Sequence, residues 1–96
     1  MYTRITRFPI KAEKYDDLLA WNDEIRDELP KIPGFVKNQD YMVRSSETEV
    51  ISITFYENRE TAENAAEHAK EIIGQIAQFL IGPPEEPIIA EVVRHL

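Results

Sequence analysis

Along the chain the spacing of apolar residues switches from period two to a helical period and back, twice over, and this order of elements restricts the fold more than any single motif. Tyr2 to Phe8 alternates, with Thr3 and Ile5 set between Tyr2, Arg4, Thr6 and Phe8, until Pro9 ends ladder donation. From Ala12 to Leu29 the apolar residues Tyr15, Leu18, Leu19, Ile25 and Leu29 gather on one side of a helix, opposite Lys14, Asp16, Asp17, Asp23, Glu24 and Asp27. Pro30 and the Pro33-Gly34 pair close that helix with a turn.

Phe35 to Arg44 reads as a second strand, interrupted by the polar stretch Lys37 to Asp40, and Ser45 to Thr48 is turn material. Val50 to Tyr56, dense in β-branched and aromatic residues, is the clearest strand. Asn58 is a good N-cap for one long helix, Thr61 to Leu80, with Ala62, Ala65, Ala66, Ala69, Ile72, Ile73 and Ile76 on one face. Gly82-Pro83-Pro84 breaks it, and Ile88 to Leu96 returns as a fourth strand.

Strand, helix, strand, strand, helix, strand is the ferredoxin-like β-α-β-β-α-β plan of an α+β domain, with two helices on one face of a four-stranded antiparallel sheet. Two helices cover only one face. The other, roughly 19 Å by 20 Å from strand spacing and rise, is comparable with the largest apolar patch a monomer usually shows. In the fourth strand Ile88, Ala90, Val92 and Leu96 lie on one face and Ile89 and Val93 on the other, so both faces read as buried. Ile51, Ile53 and Phe55 oppose Val50 and Tyr56 in the third strand, although Ser52 and Thr54 soften that second face. A second copy pairing through the open sheet face, giving a homodimer, accounts for this.

With 96 residues the chain reads as a single domain, 1–96. A net charge of -7 opposes nucleic acid and anionic membrane surfaces as partners. The absence of cysteine excludes disulfides and thiolate chemistry and fits a reducing compartment. Nothing resembles a signal or membrane segment, so a cytoplasmic location is expected.

The segments KIPGFVKNQDYMVRS and VISITFYENRETAENAAEHAK resemble antibiotic biosynthesis monooxygenase domains of the dimeric α+β barrel superfamily. The shared features are the Pro33-Gly34 turn into the second strand, and Tyr56-Glu57 ending the third before an alanine-rich, acidic helix. The resemblance implies a homodimeric barrel with a substrate cavity between helices and sheet in each subunit. It also implies an oxidoreductase, a monooxygenase working on a small aromatic or polycyclic molecule without metal or flavin, or a non-catalytic ligand-binding dimer. Haem degradation, another activity of the family, relies on an Asn in the first strand and a Trp opening the second helix; this chain has neither, and His68 alone matches that pattern.

Cofactor-free oxygenation needs a base or hydrogen bonds that favour a substrate anion in a dry pocket. His68 and Tyr56 are the catalytic candidates, although His68 lies about 100° from the centre of the apolar face, where the solvated helix flank is the preferred reading. Trp21, Arg4, Ala65 and Ala69 are the ligand-binding candidates: an indole at a cavity mouth, a guanidinium near the sheet centre, and small residues that leave volume beneath the second helix. Each reads equally as packing. His95 with Glu91 gives at most two ligands, so no metal site is expected.

Overall fold

The computed structural model describes residues 1–96. Its elements are β1 (Tyr2–Pro9), α1 (Tyr15–Ile25), β2 (Tyr41–Ser46), β3 (Glu49–Tyr56), α2 (Arg59–His68), α3 (Lys70–Gln75) and β4 (Ile88–Glu91), with single 3₁₀ turns at Ala12–Lys14, Leu29–Lys31 and Ile76–Phe79. The four strands form one sheet in the order β2-β3-β1-β4, every neighbouring pair antiparallel. This is the ferredoxin-like architecture expected from the order of elements.

Register divides the sheet into two faces. Tyr2, Arg4, Thr6 and Phe8 stand opposite Tyr56, Thr54, Ser52 and Val50, and this set faces the helices. On the other face Ile5 pairs with Ile53 and Ile88, Val43 pairs with Ile51, and Tyr41 pairs with Ile53. No helix covers these residues; Tyr41, Val43 and Ile88 are exposed.

Four elements differ from the sequence reading by more than a residue or two. The first helix stops at Ile25, because Arg26, Asp27 and Glu28 offer nothing to bury, and Pro30 instead sits at the start of the 3₁₀ turn Leu29–Lys31. The second strand begins only at Tyr41. Asn38 adopts a left-handed φ of 64°, which breaks the extension, and Phe35 is left as an isolated bridge to Tyr56. The long second helix is two helices, parted at Ala69 (φ -111°, ψ 20°). The fourth strand ends at Glu91, since β4 pairs only with β1 and that ladder runs out at Tyr2. Val92 adds one bond, its N–H donating to the Met1 carbonyl at 2.9 Å, and Val93 and Leu96 lie exposed beyond it.

The Pro33-Gly34 turn does what its residues suggest. Gly34 has φ +78°, a conformation that costs glycine nothing, and it brings the Phe35 ring edge-on to Tyr56 at 5.8 Å between centroids. The Gly34 carbonyl accepts from the Glu57 N–H at 2.8 Å, fixing the turn to the end of β3.

The core falls into two clusters. One joins Phe8, Ile10, Leu18, Val50, Ile76, Phe79 and Leu80; the other joins Ile32, Tyr56, Ala62, Ala65 and Ala69. The bend at Ala69 lets one run of sequence serve both, its alanines packing in the second cluster and Ile76 and Phe79 in the first.

Candidate functional site

The two clusters are separate because the middle of the helix-facing sheet is polar. Arg4 lies directly opposite Thr54, and Thr6 opposite Ser52, forming a tile of four polar residues with Phe8 and Val50 at one end and Tyr56 at the other. A helix layer cannot seal onto hydroxyls and a guanidinium as it does onto Val and Phe, because these groups lose more on dehydration than packing returns. Above the tile lies a cavity of about 130 Å³.

Polarity across this cavity is segregated. The sheet supplies Arg4, Thr6, Ser52, Thr54 and Tyr56, with Phe8 and Met42 as its apolar members, whereas the helical side is apolar apart from Asn22, contributing Trp21, Ile25, Leu29, Ala65, Ala69 and Ile72 among others. Ala65 and Ala69 are themselves buried, and their small side chains leave the volume that larger residues would fill. Asp40 and Tyr41, where the chain enters β2, complete the wall.

Arg4 is half-buried, and its Nη1 donates to the Ala62 carbonyl at 2.9 Å. It takes part in none of the chain's ion pairs, which all lie at the surface. Tyr56 is 3% exposed. Burial pushes its phenol above the ordinary value, and Asp40 adds to the rise, against the opposing effects of the Thr54 hydroxyl and the Arg4 charge. At neutral pH the group is therefore an O–H donor. Trp21 stands where α1 meets the end of the α3 segment: its Nε1–H donates to Gln75 Oε1 at 2.9 Å, and its ring lies 5.7 Å from that of Phe79.

The structure thus brings together five of the six residues singled out from the sequence: Arg4, Trp21, Tyr56, Ala65 and Ala69. His68 is not with them. It is exposed, in an adjoining open groove with Glu28, Lys31, Glu67, Lys70 and Glu71. The helical period accounts for this, since His68 directly precedes the buried Ala69 and so points about 100° away from it. Sequence reasoning missed Asn22, Asp40, Thr6, Ser52 and Thr54 as lining residues. The signal was the polar alternate set on the first and third strands, which marks a cavity only once the register shows those residues side by side. No group of three or more His, Asp or Glu side chains is arranged to hold a metal ion.

No family model matches the sequence, and neither does any curated protein. Solved structures do match in fold. A monooxygenase of Streptomyces coelicolor, in complex with the ligand nanaomycin D, is 16% identical with a TM-score of 0.74, covering 99% of this chain and 90% of that one. A structure described as an antibiotic biosynthesis monooxygenase is also 16% identical, with a TM-score of 0.72 and coverage of 98% and 100%. A Nitrosomonas europaea protein of unknown function is 10% identical with a TM-score of 0.77, covering 99% and 91%. At such identities the likeness establishes the fold across the chain, and it is the fold that the sequence resemblance implied.

Proposed function

We propose that this protein binds a small aromatic molecule between its helices and its sheet and oxygenates it with molecular oxygen, as a homodimer paired through the open sheet faces. The observation that carries the proposal is a ring-sized cavity with an apolar roof and a floor of hydrogen-bond donors. A protein cavity of roughly 150 Å³ holds benzene, so about 130 Å³ matches one ring. A polycyclic substrate would have to extend beyond that volume. A fold relative that carries nanaomycin D supports the use of this architecture for ring-bearing ligands.

A substrate with an acidic C–H bond gives up a proton, and its negative charge gathers on an adjacent oxygen. The neutral Tyr56 phenol and the Arg4 guanidinium are the groups suited to stabilise that oxyanion. When such a carbon reacts with O₂ and a CH₂ becomes C=O, one oxygen atom enters the product and the other leaves as water. The substrate supplies all four electrons, so no external reductant is consumed. The carboxylate bordering the cavity, and hence the proton acceptor within reach, is Asp40.

One observation favours the second reading, a non-catalytic ligand-binding dimer: no imidazole borders the cavity, and its one carboxylate, Asp40, is exposed to solvent. Haem is too large for a one-ring cavity, and His68 is turned away from it. Oxygen uptake on a panel of mono- and bicyclic phenols, with mass spectrometry under ¹⁸O₂, separates the two readings. Uptake with one ¹⁸O atom in the product is expected; binding without uptake across the panel would leave only the non-catalytic dimer.

A further inference from the structure

We infer that the cavity selects ring compounds carrying a carboxylate, with Arg4 as the group that reads the charge. This rests on the reading of the cavity as the ligand site, not on oxygenation.

Arg4 is a cation without a counterion in a chain of net charge -7. A guanidinium carries five N–H donors in a planar fork. One of them meets the Ala62 carbonyl at 2.9 Å. Holding a half-buried cation away from water is unfavourable unless an anion or several hydrogen bonds compensate, and the fork geometry matches two carboxylate oxygens. The neighbours complete the match, because Thr54 lies directly across the ladder from Arg4, and the Tyr56 phenol borders the same space. The Thr54 hydroxyl donates to the Arg4 backbone carbonyl at 3.4 Å and the Tyr56 phenol is uncharged, so neither would compete with an anion for the guanidinium.

Asp40 is the one negative charge on the wall. It is exposed, so solvent and salt screen it more than they screen the partly buried Arg4. The apolar residues of the helical side then fit the ring, and the guanidinium on the sheet side fits the carboxylate.

Binding of benzoate and of neutral benzamide, followed by two-dimensional ¹H–¹⁵N spectra, tests this on the wild-type protein. The Trp21 indole N–H is the reporter, since Trp21 is the only tryptophan and lines the cavity. Benzoate is expected to shift the Trp21 signal with at least tenfold higher affinity than benzamide, and Arg4→Gln to bring the two ligands together. Equal affinities in wild type, no binding of either, or binding that leaves Trp21 unmoved would each overturn the inference. Comparison within the wild type keeps the test valid even if Arg4→Gln loosens α2. Benzoate selectivity without oxygen uptake on any substrate would remove the oxygenase proposal alone; oxygen uptake on neutral phenols with no preference for benzoate would remove this inference alone.

Discussion

Gly34 and Thr61 approach so closely that a Cβ placed on the glycine would stand 2.5 Å from Thr61 Oγ1 and 2.6 Å from its Cβ. Thr61 cannot retreat, because its backbone N–H donates to Asn58 Oδ1 at 2.9 Å and its hydroxyl takes part in the reciprocal capping of α2. Gly34→Ala therefore combines an unfavourable left-handed φ with overpacking. The expected loss is about 2–4 kcal/mol of unfolding free energy, read as a lower urea midpoint. A midpoint within error of wild type would show that the turn can move without disturbing the helix cap.

Ile53 sits at the centre of the uncovered face, between Ile5 on one neighbouring strand and Tyr41 on the other. If two copies pair there, wild type runs as a particle of about 22 kDa, twice the 11.2 kDa chain. Ile53→Lys is then expected to halve that mass while preserving the circular dichroism spectrum, because a charge facing its counterpart across the two-fold axis is strongly unfavourable. Sedimentation at micromolar concentration checks both values. A wild-type monomer would refute the pairing.

Tyr56 makes stability depend on alkaline pH. Its phenol is raised above 10.0, chiefly by burial, so the unfolded chain releases this proton at a lower pH than the folded one. The contribution is fully present below pH 10 and is lost as pH rises through the folded-state value. Tyr2 is also raised, mainly by its hydrogen bond to Glu91, so the difference between wild type and Tyr56→Phe is the quantity to follow. Thermal melts between pH 8 and 11 are expected to show a steeper alkaline decline in wild type. Parallel curves would mean that the phenol is in ordinary contact with water.

Filling the cavity separates binding from folding. Ala69 is buried at the bend between α2 and α3 and borders the cavity. Leucine there adds three carbons to the open space, so ligand affinity is expected to fall at least tenfold with little change in melting temperature. Titration of Trp21 fluorescence, together with the melt, distinguishes this from a variant that simply loses its fold.

Much of this architecture was legible because Val50–Tyr56 and the alanine face of α2 carry strong period-two and helical patterns. The bend at Ala69 was not. Alanine is the best of helix formers, and the interruption arises from tertiary packing, where Ile76 and Phe79 must join a different cluster from Ala65. The late start of β2 had a local trace in the polar run Lys37 to Asp40, but nothing in that run marks the left-handed conformation at Asn38. For the site, Arg4 and Tyr56 were identifiable as polar tips near the sheet centre. Ser52 and Thr54 looked like weaknesses in a buried strand; only their register against Thr6 and Arg4 makes them a cavity floor. His68 was legible as a residue on the helix flank, about 100° from the centre of the apolar face, and the structure leaves it exposed there.

Strand β1 is hydrogen-bonded on one side to β3 and on the other to β4, so Tyr2 to Ile5 complete their pairing only with residues 88 to 91. During synthesis β1 is made about eighty residues before β4, and it holds an unsatisfied edge until β4 follows. Helices and the β2–β3 hairpin can form as they emerge, whereas closure of the sheet needs contacts between residues far apart in sequence and comes later.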